Sequence, residues 1–159
     1  MNIYHATKAD KSAVLELYRS FLHGAALWDE NYPSEATIDF DLSRDALFVM
    51  KNDLGEIIAT ISIDLDDQVE TLPCWTPTLQ PSAELARLAV RSDMHNQGIA
   101  KQMMKYAFAE LKTTQKKSAH ILVIKTHAAA LNSYQKLGFK TVGDCKLYNH
   151  DYFCMEVAL

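Results

Sequence analysis

"RSDMHNQGIAKQMMK", residues 91–105, is where a polar segment becomes an apolar-periodic one. The chain has five glycines among 159 residues, and Gly98 stands at that change. Upstream, "AELARLAV" (83–90) alternates and reads as a strand. Downstream, "GIAKQMMKYAFAELK" (98–112) puts Ala100, Met103, Met104, Ala107 and Leu111 on one side of a helix. A strand, a short loop and a helix start together make an anion site. The first helical N–H groups have no partner within the helix, and the positive end of the dipole lies behind them. Glycine at 98 removes a side chain from the path of a phosphate, Ala100 keeps the approach narrow, and Lys101 adds a point charge one turn in. A plain loop with a glycine for its geometry is the other reading. GxxxxGK[ST] and GxGxxG are both absent, which excludes a nucleotide P-loop and the dinucleotide fingerprint.

Working outward, Ile3 to Ala6 reads as a first strand. Asp10 is placed to cap a helix whose apolar face is Val14, Leu17, Tyr18, Phe21 and Leu22. Residues 28–45 read as a polar loop holding a short helix. Residues 46–50 and 56–64 form a hairpin, with Ile57, Ala59, Ile61 and Ile63 on one face of its second strand. Residues 66–82 carry three of the four prolines and read as loop. "HILVIKT" (120–126) is a strand covered on both faces, residues 128–138 a helix closed by Gly138, and the remainder a last strand pair. The order β-α-(α)-β-β-β-α-β-α-β-β predicts an α/β mixed sheet with helices on both sides, in one domain spanning 1–159.

Composition supports a self-sufficient fold, with 48% hydrophobic residues. The longest aliphatic run, "ILVI" (121–124), is far short of the roughly 20 residues of a membrane span. "MNIYHATKAD" has no apolar core of the kind a secretory signal carries, and Cys74, Cys145 and Cys154 lack a CxxC spacing. Both features predict a cytoplasmic protein with free thiols, no metal and no membrane partner. A net charge of −4 argues against nucleic acid as a partner. The charge is unevenly placed. Residues 1–80 carry 5 basic against 14 acidic side chains, and residues 81–159 carry 11 against 6. A solvated surface explains this, and so does a second half that meets an anion and a first half that meets a cation.

"LAVRSDMHNQGIAKQMM" resembles the acyl-CoA motif of the GNAT superfamily of N-acyltransferases, [Q/R]-x-x-G-x-[G/A] at a helix start. His95, Asn96, Gln97, Gly98, Ile99 and Ala100 fill it, with His95 where Gln or Arg is usual and Asn96 where glycine is frequent. "HAAALNSYQKLGF" (127–139) is similar to a second segment of the family, N-x-x-A-x-x-x-Y-x-x-x-G-F. There Ala130, Tyr134, Gly138 and Phe139 match in register and His127 replaces Asn. The resemblance implies a mostly antiparallel sheet, opened at a parallel strand pair where the pantetheine arm of acetyl-CoA bonds to backbone near Leu88, Ala89 and Val90. It implies acetyl-CoA as cosubstrate, held by residues 88–90, 95–101, His127 and Tyr134. It also implies an amine as second substrate, and it admits a homodimer.

Amine attack on a thioester needs a neutral amine, hence a base. Glu84 sits six residues before Val90, an offset that resembles the glutamate of the family's histone-modifying branch. A strand-edge carboxylate paired with Arg87 is the alternative, and His127 is a second base candidate. Tyr134 stands where the family places the proton donor to the leaving thiolate; a core tyrosine is the alternative. Trp28 and Tyr32, beside Asp29 and Glu30, are candidates to hold a cationic amine, and Trp75 is placed to join them; a hydrophobic staple over the core is the equal alternative for each. No cysteine lies in either motif, which favours direct attack in a ternary complex over a covalent relay. Three acceptor readings stay open: a small primary amine, a protein N-terminus or lysine, and a non-catalytic acyl-CoA-binding module.

Overall fold

A computed structural model describes residues 1–159. Seven strands form one sheet: β1 (Asn2–His5), β2 (Leu47–Lys51), β3 (Ile57–Asp64), β4 (Ser82–Val90), β5 (Ser118–Ile124), β6 (Lys140–Leu147) and β7 (His150–Ala158). Their order is β1-β2-β3-β4-β5-β7-β6. The helices are α1 (Lys11–Arg19), α2 (Glu35–Ser43), α3 (Asp67–Glu70), α4 (Ile99–Thr113) and α5 (Ala128–Lys136). The α/β mixed sheet expected from the sequence is present, and so is its parallel pair. β4 and β5 pair in parallel at Ser82↔Ser118, Ala83↔Ala119 and Glu84↔His120. No helix is long and apolar enough to cross a membrane.

The chain divides into two compact units. The first comprises Met1–Asp64 and Ala86–Ala107. Its hairpin β2–β3 is buried on both faces, because Leu47 to Met50 and Ile58 to Ser62 are all inaccessible. The sequence reading placed Ile57, Ala59, Ile61 and Ile63 on one face of β3. The other face is buried as well because its polar groups find partners. Ser62 Oγ donates to Asp41 of α2 at 2.7 Å, and Thr60 Oγ1 donates to the Arg87 carbonyl at 3.2 Å. Helix α1 is shorter than its apolar pattern. Ser20 Oγ donates to the Leu17 carbonyl at 2.6 Å, and Phe21 and Leu22 follow in a turn, still half-buried. Asp10 stands at the N-cap of α1 as expected, but its side chain makes no capping bond to the helix. Its carboxylate instead accepts from Thr7 N at 2.9 Å and pairs with Lys51 at 2.8 Å.

The second unit comprises Leu65–Leu85 and Phe108–Leu159. β5 pairs with β7 along its whole length, from Ser118↔Ala158 to Ile124↔Tyr152, and β6 pairs with β7 in turn. The segment expected to be loop contains α3, capped by Asp66 Oδ1 accepting from Gln68 N at 3.0 Å. Val69 and Trp75 from this segment pack with Cys154 in a small core.

Candidate active site

In the first unit β4 runs into the segment singled out by the sequence. Arg87 lies within that strand with φ 53°, a left-handed conformation that few non-glycine residues adopt. Its buried guanidinium contacts both Asp41 oxygens at 2.9 Å through Nη2. It also donates to Asp64 at 3.0 Å and to the Tyr32 hydroxyl at 2.8 Å. Burial penalises that charge, and the surrounding acidic groups outweigh the penalty, so Arg87 is held charged. This fixes the strand three residues from Glu84 and next to Leu88, Ala89 and Val90.

After Val90 the chain makes one tight turn, Ser92–Met94, and enters α4. Asn96 (φ 61°) and Gly98 (φ 76°) are both left-handed. Asparagine tolerates that conformation, which accounts for Asn96 where a glycine is frequent. A Cβ at Gly98 would meet nothing within 4 Å. Glycine is therefore favoured here by its backbone angle, and the space in front of it is open. The Gly98 carbonyl accepts from Gln102 N at 3.1 Å, which starts the helix. By helix geometry the N–H groups of Ile99, Ala100 and Lys101 have no intrahelical acceptor. Ile99 is buried and anchors the turn, while Gln97 and Lys101 are exposed. His95 Nε2 donates to the Val90 carbonyl at 2.7 Å, and its ring stacks on Phe21 with centroids 6.3 Å apart. His95 therefore ties the loop to the end of β4, on a carbonyl in the stretch expected to meet pantetheine.

The expected amine-holding groups in this unit are mostly engaged elsewhere. Trp28 is half-buried with its ring edge-on to Tyr18 and Phe21, at 5.4 and 6.2 Å. Asp29 Oδ1 accepts from Asn31 N and Tyr32 N at 2.8 and 3.1 Å, closing its own turn. Glu30 pairs with His23 at 2.8 Å. Trp28, Asp29 and Glu30 thus make contacts that build the loop. Tyr32 is exposed, with its hydroxyl directed to Arg87.

In the second unit α5 carries Tyr134, half-buried, with its ring 5.7 Å from that of Phe139. Burial pushes its phenol up to about 12. The hydroxyl therefore stays protonated at neutral pH, as a proton donor must. His127 caps α5 through its backbone, the Leu131 N–H reaching its carbonyl at 3.1 Å. Burial lowers its imidazole below the ordinary range, which favours the neutral, proton-accepting form. Glu84 is 6% exposed on β4, in register with His120 on β5. Trp75 is corrected from an acceptor residue to a core residue. It is 7% exposed, its Nε1 donates to the Val69 carbonyl at 2.8 Å, and its ring lies 4.5 Å from that of His120.

Two groups went unread in the sequence: Asp41 with Arg87, and Ser82 with His120 and Glu70. The members of each lie tens of residues apart and share no motif. Their only sequence signal is a charged or polar side chain placed inside an otherwise apolar strand, at Arg87 and at His120.

Comparison with known proteins decides the family. Residues 43–141 match the acetyltransferase (GNAT) domain model. The chain belongs to the GNAT family of acetyltransferases. The GNAT domain model covers both segments quoted for the resemblance, up to Phe139, and acetyl-CoA is the donor that this chemistry uses. No curated protein sequence matches the chain. Among solved structures, a ribosomal-protein-alanine N-acetyltransferase from Brucella melitensis is similar at 21% identity and TM-score 0.78, covering 100% of both chains. The ribosomal-protein-S18-alanine N-acetyltransferase from Escherichia coli is similar at 18% identity and TM-score 0.75, covering 99% of this chain and 92% of that one. The PaiA N-acetyltransferase from Thermoplasma acidophilum, in complex with coenzyme A, is similar at 17% identity and TM-score 0.76, covering 99% and 98%. At these identities the likeness is one of GNAT fold.

The turn at Gly98 yields a direct test. Gly98→Asn keeps a residue that tolerates φ 76° and places a side chain in the open space; Gly98→Val adds backbone strain. Calorimetry with acetyl-CoA is expected to show at least about tenfold weaker binding for Gly98→Asn at little loss of melting temperature, and more for Gly98→Val. Unchanged affinity in both variants would remove the phosphate role of this turn.

Proposed function

We propose that the enzyme transfers an acetyl group from acetyl-CoA to a primary amine of a small molecule, by direct attack in a ternary complex. The observation that carries this reading is the left-handed turn at Asn96 and Gly98 opening into α4. In this reading the N–H groups of Ile99, Ala100 and Lys101 face the pyrophosphate, with Asn96, Gln97 and the Lys101 charge beside it. The backbone of Leu88, Ala89 and Val90 takes the pantetheine arm, and His95 holds the loop against that strand. Acetyl-CoA supplies an activated thioester, and the protein supplies position and proton transfer.

Glu84, as carboxylate, takes the proton that a cationic amine must lose before its nitrogen attacks. His127, held neutral by burial, is the second candidate for that step. As the carbon–sulfur bond breaks, the electron pair goes to sulfur and Tyr134 donates its hydroxyl proton there. The nitrogen, cationic after attack, releases its second proton to solvent as the amide forms; Glu84 gives up its proton to solvent, Tyr134 regains one from it, and the amide and the free thiol of CoA leave. On the acceptor side, Tyr32 is the aromatic that stays exposed, its hydroxyl oriented by Arg87. The acidic first half of the chain favours approach of a cation.

Free-thiol release from acetyl-CoA, measured against a panel of small primary amines and of peptides with free N-termini or lysines, tests this. Turnover with a small amine supports the reading. Turnover with peptides alone moves the acceptor to protein. Silence with every amine, alongside acetyl-CoA binding by calorimetry, makes the chain a non-catalytic binding module.

A further inference from the structure

His120 has no exposed surface, yet each of its ring nitrogens has a partner. Nδ1 lies 2.8 Å from Ser82 Oγ, and Nε2 lies 3.0 Å from Glu70 Oε1. Glu70 accepts, so Nε2 carries a hydrogen. The state of Nδ1 depends on the single hydrogen of Ser82, and that hydroxyl has two acceptors in reach. It can donate to Nδ1, which leaves the imidazole neutral. It can instead donate to Gln80 Oε1 at 3.2 Å and accept from a protonated Nδ1. Gln80 Oε1 keeps the bond from Ser82 N at 3.2 Å in both cases. Rotation of one hydroxyl therefore lets Nδ1 take up a proton, converting the neutral ring to imidazolium with every hydrogen bond to the ring intact. Both states are thus satisfied, which matters because an unpaired buried donor is expensive.

The neighbours give that second state a purpose. Strand register sets Glu84 of β4 and Glu156 of β7 on either side of His120, and partners in register project from the same face. Both carboxyls are nearly inaccessible, at 6% and 5% exposure. Glu156 is occupied by Thr76, accepting from its N–H at 3.1 Å and bonding its hydroxyl. From α3 comes Glu70, and the ring of Trp75 covers the imidazole. Three acidic groups thus face one imidazole, two of them nearly shut off from water and Glu70 partly exposed. Buried charge of one sign requires compensation, and a proton on His120 supplies it.

We infer that His120 is a positioning residue for Glu84: by taking a proton through the Ser82 swap, it keeps the Glu84 carboxylate ionised and ready to accept the amine proton. The inference rests on the reading of Glu84 as the base, and its test reports on Glu84 without relying on catalysis.

The measurement is carbon NMR of the Glu84 carboxyl in full-length protein labelled at glutamate, assigned through Glu84→Gln. In His120→Gln the imidazolium is gone and a neutral amide stands in its place. Loss of a neighbouring positive charge favours the protonated acid, so Glu84 is expected to titrate about 1–3 pH units higher than in the parent. Ser82→Ala is the second variant. It keeps the ring and its Glu70 bond but leaves a protonated Nδ1 with no acceptor, and it is expected to move Glu84 in the same direction by less. A Glu84 titration that is the same in parent and in both variants overturns the inference. Rate profiles then separate the two ideas. If the rising limb of kcat/KM follows the Glu84 shift, both stand. If Glu84 shifts and the limb does not, Glu84 is not the base, and His120 is overturned as its catalytic positioner.

Discussion

Tyr134→Phe is expected to lower kcat by about 10²–10⁴-fold, the usual loss when one positioned acid is removed. KM for acetyl-CoA is expected to change by less than about threefold. The asymmetry follows from when the hydroxyl acts. The thiolate that it protonates exists only late in the reaction, so the interaction belongs to the transition state and not to bound acetyl-CoA. Phenylalanine keeps the ring against Phe139, so the packing at 5.7 Å survives and the fold with it. The pH dependence has a definite sign. An acid works while protonated, and burial has pushed this phenol up to about 12. No falling limb from Tyr134 is therefore expected below about pH 10, where an ordinary tyrosine would begin to lose its proton. Single-turnover rates at saturating substrate check both statements. An effect on kcat below about threefold, with chemistry rate-limiting, would leave Tyr134 as a packing residue.

The GNAT fold was legible wherever local rules suffice. Gly98 and the periodicity from Ala100 to Leu111 located α4 because a helix start is fixed by residues within a few positions of one another. Tyr134 was found by its register from His127 to Phe139, all within one helix and the turn after it. Reading failed where the deciding partner is distant in the chain. For Trp75 the sequence left an acceptor role and a place in the core equally open. Its burial depends on Val69 and on His120, 45 residues further along. Phe21 and Leu22 kept the helical phase, but Ser20 bonds back to Leu17 at the point where α1 ends. Asp29 and Glu30 read as free acidity because a sequence does not display turn bonds or a pairing with His23. His120 was read only as part of an aliphatic strand. Its role depends on α3, β4 and β7, which meet only in the folded chain.

Asp41→Ala is expected to destabilise the protein by about 3–5 kcal/mol, the typical penalty for breaking a buried ion pair on one side. At this chain length that is a fall in melting temperature of about 6–20 °C. Asp41 has no exposed surface, and it accepts from Arg87 through Nε and Nη2, from Arg44 at 2.8 Å and from Ser62 at 2.7 Å. Burial pushes its carboxyl up, and Arg87 and Ser62 pull it back. Its removal strands the Arg87 guanidinium with Asp64 alone, since the Tyr32 hydroxyl brings no charge. Most of the predicted loss is the penalty of that stranded charge, not the worth of the pair. A double-mutant cycle separates the two. Arg87→Met placed on Asp41→Ala removes the charge and keeps a long apolar side chain on β4. That double variant is expected to recover about half or more of the lost stability, because apolar replacements of buried ion pairs are often near neutral. Denaturant melts of the four proteins give the coupling directly. Simple additivity of the two single losses would mean that Arg87 and Asp41 act independently. The same cycle bears on activity, because Arg87 holds its left-handed backbone between Glu84 and the Leu88–Val90 stretch. If the pair sets the path of β4, the double variant recovers stability without recovering acetyl-CoA affinity, since methionine is no better suited to φ 53° and lacks the bonds that hold it there.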